Sequence, residues 1–443
     1  MEQDTIVAIA TPPGEGGIGI VRLSGPRAEE ILTRVFLPAG KAGPWESHRM
    51  RYGTVRDGAE MLDEGMAVLM RAPRSYTRED VAEIQIHASP YGTRRAVEIC
   101  LEAGARLAEP GEFTRRAFLN GRIDLSRAEA VMSLISARST QAHRAALREL
   151  EGGVTAFVRG AADRLYEIQA GLAACVDYPE EISEEEGAAE IIPRLEALIR
   201  SLEEAVEERS SRLLQQGLRV ALCGRPNVGK SSLLNSLLGE EKAIVTAVPG
   251  TTRDLVSGEM TLEGIRVLLT DTAGLRETED QVERIGVERS RKAMAEADVT
   301  LLVLDGSEPL QPEDRELLRQ LPAASAVLIN KRDLPAAFPD PETDRRVIRC
   351  SARERESLGE IRAYLKEYTA LSDRMAVTQP RQTDAVKRAL GFLHSALETV
   401  KTLPPDLAAT DLQAAQEALA EITGDRADER LLDQVFSSFC VGK

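Results

Sequence analysis

Gly224-Arg225-Pro226-Asn227-Val228-Gly229-Lys230-Ser231 fits G-x-x-x-x-G-K-[ST], a phosphate-binding loop. Leu218–Leu222 before it is an apolar run of strand length, and Ser232–Leu238 after it has helical spacing. Strand, glycine loop and helix together form the local context the motif needs. The glycines let successive N–H groups turn toward phosphate oxygens, and the helix start adds its positive dipole end. Lys230 is expected to reach the β- and γ-phosphates, and the Ser231 hydroxyl to ligate Mg²⁺.

The rest of a nucleotide site follows in order. Asp271-Thr272-Ala273-Gly274 succeeds the apolar run Ile265–Thr270. A strand-end aspartate can hold Mg²⁺ through water, and the Gly274 N–H can face a γ-phosphate. Asn330-Lys331-Arg332-Asp333 succeeds Ala326–Ile329. The Asp333 carboxylate can accept from guanine N1–H and from its 2-amino group. Adenine offers neither donor and would leave that carboxylate unpaired, so GTP is expected over ATP. Cys350-Ser351-Ala352-Arg353 supplies the loop that supports the base.

The 443 residues allow about three domains, and the net charge of −16 argues against a uniformly basic nucleic-acid face. The five cysteines make no C-x-x-C and the four histidines no cluster, which fits a reduced cytoplasmic setting. The beginning of the chain lacks a basic region before its short apolar run, and no stretch reaches transmembrane length. Residues 1–118 read as a mixed α/β domain. Strands are expected at Thr5–Ala10, Gly19–Leu23, Met66–Met70 and Val81–Ala88, helices at Ala28–Val35 and Thr93–Leu101. Gly14–Gly19 matches G-x-G-x-x-G but runs into a strand pattern, so it reads as a glycine-rich turn and not as a dinucleotide fingerprint. In Val81–His87, Glu83, Gln85 and His87 share one face, which pattern alone makes a solvated one.

Helical patterning begins near Asp124, with Leu125, Ala128, Met132 and Ile135 on one stripe. It continues through Arg144–Glu151, Arg164–Ala174 and Ile192–Gln215. Asp177–Glu186 reads as an acidic loop. A nucleotide-binding domain is expected over 216–373. Beyond it, Val386, Leu390, Leu393, Leu397 and then Leu412, Ala415, Leu419, Ile422 resume helical spacing. Segments 119–215 and 374–443 are expected to bury their stripes together as one discontinuous helical domain. Cys440 precedes Val441-Gly442-Lys443, which is not a prenylation signal.

Beyond these readings, the chain closely resembles the bacterial MnmE (TrmE) family of tRNA-modification GTPases. The resemblance rests on TPPGEGGIGIVRLSG, PGEFTRRAFLNGRIDLSRAEA, GRPNVGKSSLLNSL, PGTTRD, DTAGLRE, VERIGVERS, EITG and FSSFCVGK. It implies a multidomain fold, α/β plus all-α: an N-terminal α/β folate-binding and dimerisation domain, a helical domain, and an inserted Ras-like P-loop GTPase domain. It implies work with a flavoprotein partner, MnmG, which carries FAD and uses NADH. Together they place an aminomethyl or carboxymethylaminomethyl group on C5 of the wobble uridine (position 34) of certain tRNAs. The implied one-carbon donor is a 5-formyl- or methylene-tetrahydrofolate held by Arg22, Glu83, Arg122 and Lys443. Arg122 stands where relatives often have Lys.

For the GTPase, the resemblance implies nucleotide contacts from Asn227, Val228, Gly229, Lys230, Ser231 and Ser232. It adds Thr246, Ala247, Val248, Pro249, Gly250, Thr251 and Thr252, then Asp271, Thr272, Ala273, Gly274, Asn330, Lys331, Asp333, Ser351, Ala352 and Arg353. Leu275 follows Gly274 and cannot orient water. The resemblance assigns hydrolysis to Glu283, beside Lys230, and Mg²⁺ to Ser231 and Thr252. It places K⁺ at Asn227, Thr246, Val248 and Thr251, positioned by pairing of the G domains of a homodimer, to supply positive charge beside the transferring phosphoryl. The alternative from another class is a ribosome-assembly switch GTPase of the Era or Der type. No second phosphate loop and no G-x-x-G beside a basic helix supports it.

Overall fold

The computed structural model describes residues 4–40, 43–178, 180, 183–206, 208–239, 256–271, 292–371 and 377–442. The chain forms two compact units. One comprises Met1–Met132, Arg148–Arg200 and Asp384–Lys443; the other comprises Ser133–Leu147 and Ser201–Thr383.

In the first unit β1 (Ile6–Ile9), β2 (Gly16–Ser24), β3 (Phe36–Pro38), β4 (Arg51–Asp57), β5 (Glu60–Met70), β6 (Val81–Ala88) and β7 (Arg106–Leu107) make one sheet. Its order is β3-β4-β5-β6-β2-β1-β7. All neighbours are antiparallel except β1 and β7. Alternation sorts the side chains. Val21, Leu23, Ile84 and Ile86 turn to the side covered by helices Ala28–Val35 and Pro90–Glu102, around Phe36 and Trp45. Arg22 and Glu83 are directly opposed on the other side. Helix Pro90–Glu102 starts where Ser89 Oγ accepts from Gly92 N at 2.9 Å, with Pro90 in its first turn. Gly19 lies within β2, where a Cβ would come 2.5 Å from Thr93 Cγ2, so close helix packing requires glycine there.

The expected strands and helices of this unit are present, and Gly14–Gly19 does lead into a strand. The strand begins at Gly16, earlier than expected. β3, β4 and the first half of β5 were not expected. Gly58-Ala59, with Gly58 at φ 63°, is the turn that joins β4 to β5.

Helices Gly153–Asp177 and Ala409–Thr423 pack together, the first burying Val158, Leu165, Ile168 and Leu172 and the second Leu412, Ala415, Leu419 and Ile422. Lys401 reaches Glu196 at 2.9 Å, linking helix Pro380–Thr402 to helix Glu184–Ala205. Phe436 and Phe439, around helix Glu429–Phe436, join Leu125 and Ala128 in a smaller core. The acidic loop is shorter than expected, because Glu184–Glu186 already belong to a helix. The Ser183 N–H donates to Glu186 Oε2 at 3.1 Å, and the Glu186 N–H returns to Ser183 Oγ at 3.3 Å. Ser183-x-x-Glu186 is a capping box, and it overrides the repulsion of the acidic run. The single helix expected over Ile192–Gln215 is instead two, Glu184–Ala205 and Glu208–Gln216, interrupted where Val206 bridges Val377.

In the second unit β8 (Leu218–Cys223), β9 (Val256–Leu262), β10 (Ile265–Asp271), β11 (Val299–Asp305), β12 (Ser325–Asn330) and β13 (Arg346–Arg349) form a sheet. Its order is β13-β12-β11-β8-β10-β9. Only the β9–β10 pair is antiparallel. Apolar clusters lie on both faces, one around Leu222, Leu233 and Leu301, the other around Cys223, Leu302 and Ile329. Both faces are buried, as continuous apolar strands demand. The strand order reverses at β8, so the crevice beyond its carboxyl end is where such a sheet takes a ligand.

Candidate functional site

The phosphate loop lies beyond that end of β8. Gly224 (φ 141°) and Gly229 (φ 96°) occupy left-handed backbone, and a Cβ on either would sit 2.3 Å from Val303 O or Asn330 Nδ2 respectively. Asn227 is also left-handed, at φ 64°. Val228 is buried and Ser232 exposed. Lys230 opens helix Lys230–Gly239 and is 3% exposed. Its Nζ donates to Gly224 O at 2.8 Å and to Arg225 O at 2.7 Å, so the ammonium is held at the loop. Burial lowers its pKa against the opposing pull of Asp271. Ser231 Oγ donates to Asp271 Oδ2 at 2.6 Å, bringing together the hydroxyl and the fully buried carboxylate. Two hard oxygen donors side by side fit a magnesium ion.

The loops after β12 and β13 are tied to the phosphate loop. Asn330 Nδ2 donates to Val228 O at 2.8 Å, and Asn330 Oδ1 accepts from Ala352 N at 3.2 Å. One buried carboxamide thus joins three loops. Lys331 (φ 63°) pairs with Asp305 at the end of β11. Asp333 Oδ1 accepts from Ser351 Oγ at 2.7 Å, and Arg353 Nη1 lies 3.7 Å from Oδ2. The Ser351 hydrogen bond holds the Asp333 carboxyl below its usual range. This side chain is 24% exposed, so one flank of the carboxylate is open. Two supports were not anticipated. Arg225 Nε grips both carboxylate oxygens of buried Asp314 at 3.0–3.1 Å. Asp305 also accepts from Ser307 at 2.6 Å, and the strand-end Asp-Gly-Ser was a readable signal for it.

Thr246, Ala247, Val248, Pro249, Gly250, Thr251, Thr252, Thr272, Ala273, Gly274, Glu283 and Lys443 lie outside the described residues. Of the four residues implied for K⁺, only Asn227 is described.

In the first unit Arg22 Nε pairs with Glu83 Oε1 at 2.8 Å, both side chains being about one-sixth exposed (17% and 16%). The solvated face expected for Glu83 is therefore a partly covered one. The Arg22 guanidinium lies 5.8 Å from the ring centres of Tyr76 and Phe113, and its Nη1 donates to Gly442 O at 3.4 Å. Arg122 stacks on the same Tyr76 ring at 4.6 Å. Val441 bridges Pro110, which seats the FSSFCVG segment beside β1. Three of the four residues implied for folate thus gather around Tyr76. A carboxylate for a pterin edge and guanidiniums for carboxylates suit that ligand chemically.

Cys100, Cys223 and Cys350 are buried thiols, each pushed up to about 12 by burial. Among the described residues no group of three His, Cys, Asp or Glu could hold a metal, and no helix is long and apolar enough to cross a membrane.

Residues 5–122 match the family model described as GTP-binding protein TrmE N-terminus, and residues 125–440 match that of the MnmE helical domain. The chain is 45% identical to the tRNA modification GTPase MnmE of Heliobacterium modesticaldum, and 45% identical to that of Symbiobacterium thermophilum. Both comparisons span the whole of each chain. It is also 45% identical to the one from Chloroflexus aurantiacus, over 99% of this chain and all of that one. A phosphate loop lying within the second of these family segments, with end-to-end likeness to such relatives, makes this chain a member of the MnmE family of tRNA modification GTPases.

Proposed function

We propose that this protein binds and hydrolyses GTP to drive modification of the wobble uridine of tRNA. The observation that carries the GTP reading is the Asp333 carboxylate, fixed by Ser351 and tied through Asn330 to the loop that presents Lys230 and Ser231. Asp333 accepts from guanine N1–H and the 2-amino group. Gly229 and its neighbours turn backbone N–H groups to the phosphates, and Lys230 neutralises charge at the β- and γ-positions. Ser231, with Thr252, would hold Mg²⁺, and Asp271 would do so through water. When bound, that ion polarises the transferring phosphoryl group. Glu283 orients the attacking water through a second water. Asn227, Thr246, Val248 and Thr251 would hold K⁺ where two G domains of a homodimer meet. The remaining nucleotide contacts come from Ser232, Ala247, Pro249, Gly250, Thr272, Ala273, Gly274, Lys331, Ala352 and Arg353.

In the first unit Glu83 accepts from a pterin edge while Arg22, Arg122 and Lys443 take carboxylates of a 5-formyl- or methylene-tetrahydrofolate. That folate supplies the one-carbon unit. An MnmG-type flavoprotein, carrying FAD and using NADH, acts on the uridine beside it. The setting is cytoplasmic. The relatives' shared name supports the tRNA assignment, and the Arg22–Glu83 pair beside Tyr76 supports the folate site.

The test has two arms. Purified protein should hydrolyse GTP and not ATP, faster in K⁺ than in Na⁺ at equal ionic strength. Nucleosides of tRNA from a deletion strain should lack the modified wobble uridine by mass spectrometry. Equal use of ATP refutes the guanine reading, equal rates in the two salts refute the K⁺ site, and an unchanged uridine refutes the tRNA role.

A further inference from the structure

In a chain of net charge −16, arginines of the first unit mostly sit on carboxylates. Arg27, Arg49, Arg71, Arg95, Arg106 and Arg116 each pair with an Asp or Glu. Arg74, Arg78 and Arg122 have no acidic partner among the described residues. All three line one open hollow of about 500 Å³, together with His48, Met70 and Tyr76, and no carboxylate lines it. Arg78 Nη1 donates to Asn120 O at 3.0 Å and Arg122 Nη1 to Tyr76 O at 3.2 Å. Backbone carbonyls orient these guanidiniums without cancelling their charge.

The backbone marks the same place. Among the described residues five non-glycines have left-handed φ. Asn227 and Lys331 belong to the nucleotide site. His48 (φ 63°) and Arg78 (φ 60°) line this hollow. Such conformations cost energy and last only where neighbours fix them. Here His48 N donates to Leu69 O at 2.8 Å, and Asn120 Nδ2 to Thr77 O at 2.7 Å.

Tyr76 joins the hollow to the Arg22–Glu83 pair, since its ring faces Arg122 at 4.6 Å and Arg22 at 5.8 Å. A ligand with its head on that pair can therefore lay an anionic extension across Tyr76. Guanidinium forks match carboxylates in pairs of parallel hydrogen bonds. Toward Arg71 the positive surface is cut short, because that guanidinium is taken up by Glu29. That suits a short polyanion better than a long nucleic-acid track.

We infer that Arg74, Arg78 and Arg122 bind the γ-linked oligoglutamate chain of a folate, making the protein selective for long-tailed folates. This rests on the proposed folate site. The test is calorimetric titration of the full-length protein with the mono- and pentaglutamate forms of 5-formyl-tetrahydrofolate at moderate salt. The pentaglutamate should bind about tenfold more tightly, as a few partly exposed charge-assisted contacts provide. The R74Q/R78Q double variant should abolish that preference, with GTP hydrolysis and the Trp45 emission unchanged. R74K/R78K should restore part of it. Equal binding of both forms by the wild type overturns the inference and leaves the folate reading standing. Failure of either form to bind overturns both. A double variant that keeps the tail preference but loses tRNA affinity overturns the inference in favour of an RNA contact.

Discussion

Replacing Arg116 by Met tests how the first unit holds the segment that carries Tyr76. The Arg116 side chain is 13% exposed and meets three carboxylates: Asp4 Oδ1 at 2.6 Å, Glu112 Oε1 at 2.9 Å and Glu79 Oε2 at 3.2 Å. It also donates to Asp4 O at 2.9 Å. Removing one partner of a buried ion pair leaves uncompensated charge and costs ~3–5 kcal/mol. Two details place this case lower. Glu112 keeps Arg106 at 2.7 Å and the Glu109 N–H at 2.8 Å. Asp4 is 43% exposed and can be rehydrated. Glu79 loses its cation and keeps the Ser24 hydroxyl at 2.6 Å. A loss of about 2–3 kcal/mol is therefore expected. At ~2–4 °C per kcal/mol for a unit of this size, the melting temperature falls by about 5–10 °C.

The chain's single tryptophan, Trp45, packs on Phe36 in this unit, so its fluorescence follows this transition. The pH dependence has a definite sign. The Arg106 guanidinium, above all, holds Asp4 below its ordinary value. Burial pushes Glu112 up, but Arg106, the Glu109 N–H and Arg116 outweigh it and leave it low. Lowered carboxyls stabilise above the unfolded pKa near ~4 and lose that contribution as pH falls through their folded values. Acid unfolding should accordingly begin at higher pH in R116M than in the parent. A thermal midpoint within a degree of wild type, with an unmoved acid limb, would refute the reasoning.

Four further outcomes follow from the sites. Asp333→Asn should weaken GTP binding by roughly a hundredfold or more, since an amide opposes guanine's donors where a carboxylate accepted them; competition with labelled GDP measures it, and an intact affinity removes Asp333 as base reader. Ser231→Ala should raise the Mg²⁺ concentration needed for half-maximal hydrolysis by about tenfold or more, since it deletes one hard-oxygen ligand; an unchanged requirement places the ion elsewhere. Glu83→Gln should reduce 5-formyl-tetrahydrofolate binding about tenfold while GTP turnover persists; calorimetry that finds full affinity excludes Glu83 as a ligand. Gly442→Ala should loosen the FSSFCVG segment, because Gly442 has φ 96° and a Cβ there would lie 2.2 Å from Ile9 O. Faster proteolysis of that segment checks it, and unaltered protection counts against the packing.

The nucleotide site was legible because its chemistry is local. Each motif sits at the end of an apolar strand, and β8, β10 and β12 end at Cys223, Asp271 and Asn330 as the patterns imply. The bonds from Asn330 to Val228 O and Ala352 N were not legible, since they join residues distant in the chain. Glu83 shows the same limit. Alternation placed it on the polar face, but its pairing with Arg22 depends on the register between β2 and β6, which neither strand discloses alone. β3 escaped because it is only three residues long, and β4 because Arg51–Asp57 lacks an apolar run; only Gly53 and Val55 in it are buried. The capping box at Ser183 was readable and was masked by the surrounding acidic residues.

The bridge between Val206 and Val377 carries a consequence for the order of assembly. Val377 N donates to Ala205 O at 3.3 Å, while Ser211 Oγ and Gln215 Nε2 both donate to Thr378 O. These contacts clasp the two places where the chain enters and leaves the GTP-binding unit. Bringing together ends separated by about 170 residues costs ~4–5 kcal/mol of chain entropy. Once the interrupting unit has folded, that cost has been met within it. Helix Glu184–Ala205 then ends, and helix Pro380–Thr402 begins, at that one clasp.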